Sequence, residues 1–288
     1  MNRKIALIND MKKYNRMSYL NSVSILSAFG DRAYIGIDEN EKYDAFISSY
    51  IENSDKMIEY REMIADAKLD NPRVLYLCDP SFADNGVLYD GITLAHIENY
   101  KKLIEISDIM TPNFTEAMML TNMSYEDNVK KYNIIKYEND NKEKVDTLSR
   151  KIIESLFPLL EKLRFKKNQI TIITGIELYN AVLTLLDVFD GDHGKRQTTC
   201  NYSEKVEDRY GVGDVFDAVF FEASTNGFNL VDSLSAATSI VNNSLRYSRD
   251  RKIRKELGIF FEPILHDNIE VMRKKILEKQ KNNEGKEV

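Results

Sequence analysis

The 288-residue chain carries only two cysteines, Cys78 and Cys200, and three histidines, His96, His193 and His266. Two thiols cannot build a disulfide framework, and with three scattered histidines they make no zinc spacing. Cys78 closes the apolar run Val74-Leu75-Tyr76-Leu77-Cys78 and reads as a buried thiol. No stretch reaches the ~18 consecutive apolar residues of a membrane span. The apolar run Ile5-Ala6-Leu7-Ile8 stops well short of the ~7 residues of a secretory core, so a soluble, cytoplasmic protein is expected. A basic excess is missing too: 40 Lys+Arg stand against 46 Asp+Glu, a net charge of −6, which argues against a nucleic-acid carrier. G-x-S-x-G, G-x-x-x-x-G-K-[ST] and H-E-x-x-H are all absent, as is any internal repeat, which sets aside the hydrolase elbow, the P-loop and the zincin helix.

What is present is ample apolar material, 43% of residues, enough for a full core without a staple. Short apolar runs alternate with helical periods. Strands are predicted at 4–8, 43–47, 73–78 and 170–173, the last ending at Thr174-Gly175, with further strands at 179–188 and 197–203. Helices are predicted from Leu20 to a stop at Gly30, over 54–68, from a Thr93 cap to Ile106, and over 114–121. A helix over 144–165 should kink or restart at Pro158, and helices at 213–226, at 230–249 and from His266 follow. The polar stretch 124–144 reads as a surface insertion, and 280–288 as a fraying tail. The alternation predicts one α/β domain over 1–288, a mostly parallel sheet with helices on both faces.

Several predicted strands end in polar residues: Asn9-Asp10, Asp79-Pro80, Asn113 and Thr174-Gly175. Ligands of open parallel sheets bind beyond the carboxyl ends of the strands, although polar loops and helix caps give the same pattern. Gly211-Val212-Gly213-Asp214, before an apolar helix, offers turned backbone N–H groups and a helix dipole to an anion. A carboxylate is repelled by a phosphate, so Asp214 there makes sense as the acceptor of a proton from an attacking hydroxyl; the alternative is an ordinary capping residue. Asp79 and Asp84 share one loop and offer hard oxygen ligands to Mg²⁺. Asn113 and Glu116 either complete a metal–phosphate network or form a capping box, and Glu116 can do both. The three histidines read as surface residues.

In this order, Ile8-Asn9-Asp10, Asp79-Pro80-Ser81-Phe82-Ala83-Asp84-Asn85-Gly86, Thr111-Pro112-Asn113-Phe114-Thr115-Glu116-Ala117, Thr174-Gly175, Gly211-Val212-Gly213-Asp214 and Gly258-Ile259-Phe260-Phe261-Glu262-Pro263 resemble the pyridoxal kinases of the ribokinase-like superfamily, from about Lys4 to Leu265. The resemblance implies a ribokinase-like three-layer sandwich and ATP-dependent phosphorylation of the 5′-hydroxymethyl group of pyridoxal, pyridoxine or pyridoxamine. It implies Asp214 as the base and the backbone of Gly211, Val212 and Gly213 as the anion hole. Asp79, Asp84 and Glu116 would serve the metal, Asn113, Glu116, Thr174 and Gly175 the nucleotide, and Asp10 the vitamin ring. ATP and Mg²⁺ follow, with a monovalent cation as a further candidate, and the family is typically homodimeric.

The chain departs from the family in four places. Twelve residues separate Gly30 from Tyr43, where pyridoxal kinases carry a longer lid over the ring. Asn15 stands at a usual glycine, Val212 at a common threonine, and Ser81-Phe82-Ala83 where a run ending in glycine is preferred. The shortened lid leaves two alternatives: a kinase of another hydroxymethyl heterocycle such as hydroxymethylpyrimidine, and a nucleotide-binding pseudokinase.

Overall fold

Strands that are apolar on both faces belong in the interior of a parallel sheet, and the runs Lys4–Ile8, Ala45–Ser48 and Leu75–Cys78 are of that kind. A computed structural model describes residues 2–10, 18–138, 141–206 and 209–284. Asn15, residues 139–140 of the expected insertion and 285–288 of the tail lie outside the described residues.

The elements in chain order begin with β1 (Lys4–Ile8), α1 (Ser18–Phe29), β2 (Arg32–Ile35), β3 (Ala45–Ser48), α2 (Ser54–Asp70), β4 (Leu75–Cys78), β5 (Ala83–Asp84) and β6 (Val87–Leu88). They continue with α3 (Leu94–Ile106), β7 (Ile109–Met110), α4 (Phe114–Leu120), α5 (Tyr125–Asn133), α6 (Lys142–Lys162), β8 (Ile170–Glu177), β9 (Ala181–Asp190) and β10 (Lys195–Glu204). The last are α7 (Val212–Thr225), α8 (Leu230–Asp250) and α9 (Glu262–Glu284). The chain divides into two compact units, 1–36 with 206–288, and 37–205.

In the first unit β1 and β2 run parallel, Lys4 facing Arg32 and Leu7 facing Ile35. Helices α1 and α8 pack against α7, which is buried on almost every side from Val215 to Ala223. A helix buried on nearly every side is a core helix, even with Asp217 and Glu222 among its buried residues. Gly30 ends α1 at φ +97°, as its position predicted.

In the second unit β3, β4, β7 and β8 form a parallel run, in that order; β9 adds antiparallel to β8, and β10 antiparallel to β9. Helices α2 and α3 pack together, and Phe82 meets Tyr100 at 5.5 Å between ring centroids.

Five expectations need correction. Strand β8 does not end at Thr174-Gly175. It runs on to Glu177 across a bulge, because its register on β9 shifts between Ile173 and Ile176. Of the kink or restart expected at Pro158, the restart is absent: helix α6 runs through it, and because Pro158 and Glu154 are both exposed, the carbonyl it leaves unpaired can face water. The stretch 124–144 is more than a surface insertion. It contains α5, whose Tyr132 is 1% exposed and sits edge-on to Phe114 at 5.7 Å. Residues 31–43 hold β2, a strand whose half-exposed side chains carry no buried-strand signature. Helix α9 begins at Glu262 rather than at His266 and runs to Glu284.

Candidate active site

Each unit holds one cluster of the residues singled out by the sequence. In the first unit the chain turns into α7 at Gly211, with φ +81°. A side chain there is excluded twice over: the left-handed backbone disfavours it, and a Cβ would lie 2.3 Å from Asn21 Nδ2. That amide donates to the Gly211 carbonyl at 3.3 Å, and Ile259 N–H donates to the Tyr210 carbonyl at 3.0 Å. The turn is therefore held from two sides. Beyond it, Val212, Gly213 and Asp214 are the first three residues of α7, where N–H groups have no carbonyl one turn earlier in the helix.

Asp214 is not the capping residue. Gly211 occupies that place and Asp214 is the third helical position. Its side chain is 8% exposed and accepts from Asn9 Nδ2 at 3.4 Å. Asn9 and the neighbouring Asp10 follow β1, so one contact joins two of the polar segments that the sequence set apart. Arg209, buried two residues before Gly211, was passed over in the sequence; its only signal was a basic residue beside the glycine turn.

In the second unit the carboxyl ends of β3, β4 and β7, together with the bulge inside β8, bring the other cluster together. Asp79 follows β4 and accepts from Ser49 Oγ at 2.7 Å. Strands β5 and β6 form a hairpin whose two turn residues, Asn85 and Gly86, have φ of +51° and +79°. Positive φ at both positions gives the tight hairpin turn that matches strand twist. The Tyr125 ring covers Gly86 so closely that a Cβ would sit 2.7 Å from its Cδ1. Asp84 accepts from its neighbour Asn85, through N–H at 2.8 Å and Nδ2 at 3.0 Å.

The capping box of Asn113 and Glu116 is present: Glu116 N–H donates to Asn113 Oδ1 at 2.9 Å and Asn113 N–H to Glu116 Oε2 at 2.8 Å. Glu116 does more. Its Oε1 also accepts from Phe82 N–H at 3.0 Å and Ala83 N–H at 3.3 Å, tying the loop after Asp79 to α4. Asn113 Nδ2 donates to the Ala83 carbonyl at 2.7 Å from the other side. Burial pushes the Glu116 carboxyl well above the usual range, with the Asp79 charge adding and its three backbone donors opposing. Thr174 bridges Asn113 in parallel register, and Gly175 completes the bulge of β8 at φ +70°.

No protein-family model matches the chain. Pyridoxal kinase PdxY of Haemophilus influenzae is 37% identical to it over 92 residues, which cover 30% of this chain and 31% of that protein. Over nearly the whole chain the likeness is structural. A Bacteroides thetaiotaomicron protein assigned as a phosphomethylpyrimidine kinase and crystallised with pyridoxal superposes with a TM-score of 0.72, at 20% identity, covering 94% of this chain and 96% of that one. Pyridoxal kinase from Leishmania donovani, in complex with ADP and ginkgotoxin, gives 0.71 at 15% identity, covering 93% and 96%. The chain has the ribokinase-like fold of the pyridoxal kinases.

Within that fold the histidines stay outside both clusters, but His96 is not on the surface. It is buried, with Nδ1 accepting from Thr93 N–H at 3.1 Å and Nε2 donating to the Glu52 carbonyl at 2.9 Å. A histidine three residues after the helix cap does here what a glutamate does in a capping box. Ser49 and Tyr125 reach the second cluster without having been foreseen. A serine after an apolar strand and a tyrosine in a polar stretch are too common to signal a site.

Proposed function

We propose that the chain transfers the γ-phosphoryl group of ATP to the 5′-hydroxymethyl group of pyridoxal, pyridoxine or pyridoxamine. The observation that carries this reading is Asp214, a carboxylate that follows a glycine turn at the start of α7 yet does not cap that helix. In the reaction the substrate oxygen bonds to the γ-phosphorus as the bond to the β-bridging oxygen breaks and ADP leaves. Asp214 accepts the hydroxyl proton, and the backbone of Gly211, Val212 and Gly213 offers N–H donors to the phosphoryl oxygens. Asp10 faces the vitamin ring. Phosphoryl transfer asks the protein mainly for positioning and charge neutralisation.

Asn113, Thr174 and Gly175 bind the nucleotide phosphates in this reading. Among the described residues no group of three or more His, Cys, Asp or Glu forms a ready metal cage, and both Glu116 oxygens already accept backbone N–H groups. The donor set fits Mg²⁺ held by one or two carboxylates with water and phosphate oxygens completing its shell. Asp79 and Asp84 are those carboxylates, and Glu116 serves by fixing the loop between them. Mg²⁺ bound with the nucleotide supplies charge neutralisation on the phosphate oxygens. The enzyme acts in the cytoplasm as a homodimer.

A neighbour of the same fold holding pyridoxal and another holding ADP support this choice of substrates. The test is ATP-dependent phosphate transfer to pyridoxal, pyridoxine, pyridoxamine and hydroxymethylpyrimidine, each followed by product mass. A vitamer 5′-phosphate is expected. Product from hydroxymethylpyrimidine alone moves the substrate to another heterocycle, and nucleotide binding without product from any alcohol refutes the kinase.

A further inference from the structure

The Asp79 carboxylate is held by a residue that no sequence motif points to. Parallel pairing of β3 with β4 sets Ser48 opposite Cys78, so the next residues, Ser49 and Asp79, leave the sheet side by side. Asp79 N–H donates to the Ser48 carbonyl at 2.8 Å, and Ser49 Oγ donates to Asp79 Oδ2 at 2.7 Å. Ser49 is 7% exposed and its backbone is fixed in turn. The Tyr100 hydroxyl donates to the Ser49 carbonyl at 2.8 Å and accepts from Ile51 N–H at 3.2 Å. Tyr100 is itself fully buried against Phe82, the residue whose N–H is held by Glu116. The loop carrying Asp79 is thus fixed on the α4 side by Glu116 and on the β3 side by Ser49.

We infer that Ser49 is a positioning residue for the metal–nucleotide function of Asp79: its hydroxyl selects the carboxylate rotamer and holds it in the geometry that a divalent cation requires. A charge-assisted O–H···O⁻ bond at this distance is among the stronger side-chain hydrogen bonds. Donors behind a metal-binding carboxylate commonly carry tenfold to hundredfold of metal affinity. Tyr100 stiffens the serine backbone, so the hydroxyl meets the carboxylate in a fixed geometry rather than as one of several surface rotamers. This inference rests on the kinase reading, and its test reads binding instead of turnover.

The experiment is calorimetric titration of AMP-PNP, with and without Mn²⁺, into wild type, Ser49→Ala, Ser49→Thr, Asp79→Asn and the Ser49→Ala/Asp79→Asn double variant. In wild type Mn²⁺ tightens nucleotide binding. Ser49→Ala is expected to lose about tenfold or more of that gain while keeping its metal-free nucleotide affinity. Ser49→Thr, which restores a hydroxyl, recovers most of the gain, and Ser49→Ala adds nothing in the Asp79→Asn background. Wild-type Mn²⁺ dependence in Ser49→Ala, or an equal loss in both backgrounds, overturns the inference. So does a fall in metal-free affinity, which marks general damage to the fold. Wild-type protein whose nucleotide affinity is indifferent to Mn²⁺ overturns the kinase reading itself, and does so before any variant is compared.

Discussion

Replacing Glu222 by glutamine should make the protein more resistant to alkali. Glu222 lies in the last turn of α7 with 0% exposure, and its Oε2 accepts from Arg3 Nη2 at 3.0 Å and Asn226 Nδ2 at 2.7 Å. Its other oxygen, Oε1, has no hydrogen-bond partner among the described residues. Arg3 is already committed to Asp31, through Nε at 2.7 Å and the backbone N–H at 3.0 Å, and its Nη1 donates to Thr225 Oγ1 at 2.6 Å. One half-buried cation thus faces two buried carboxylates. Burial pushes Glu222 up to about 8 from an ordinary 4.5; the Arg3 charge opposes the shift and the Asp31 charge adds to it. The folded protein therefore holds one proton more than the unfolded chain between those two values. The stability this group contributes is full below pH 4.5, falls by about 1.4 kcal/mol per pH unit, and has lost about 5 kcal/mol once pH passes 8.

Glutamine keeps the shape, one donor and one acceptor, but has no proton to lose. Urea unfolding of wild type and Glu222→Gln from pH 6 to 9 separates the two. Between pH 6 and 8 wild type should lose about 2 kcal/mol more than the variant. Parallel stability curves would show that Glu222 is ionised in the folded protein and that the reasoning about its burial is wrong.

Two further outcomes follow from packing. Gly211→Ala must adopt φ +81° and displace the Asn21 amide, so its thermal midpoint should fall by about 2–5 °C and phosphate transfer should drop with it. An unchanged midpoint would mean the turn relaxes freely. Tyr132→Ala removes a ring packed against Phe114 and the hydroxyl contact to Ser155 at 3.0 Å. Denaturant unfolding should show a loss of about 3–5 kcal/mol, against a loss near zero if α5 were a dispensable insertion.

Much of the layout could be read from the chain because polar residues interrupt the apolar runs at strand ends and helix starts. Asn9-Asp10, Asp79 and Asn113 follow short strands, and Gly211 precedes an apolar helix, all as local pattern predicted. What local pattern could not supply was set by partners far along the chain. Thr174-Gly175 looks like a strand end, but pairing with β9 carries β8 past it. Strand β2 is half-exposed and defined only by its partner β1. His96 looks like a surface residue until its bonds to Thr93 and Glu52 are seen. Ser49 matters through one hydrogen bond to a residue thirty positions away, and no spacing rule reaches that far.

We propose that Asp214 takes the proton of the incoming alcohol. Single-turnover transfer from ATP to pyridoxal by wild type and Asp214→Asn, with nucleotide affinity measured in parallel, tests it most directly. With Asp214 as the base, the rate is expected to be at least about a hundredfold lower in the variant with nucleotide affinity little changed. A variant that transfers phosphate at near wild-type rate contradicts it.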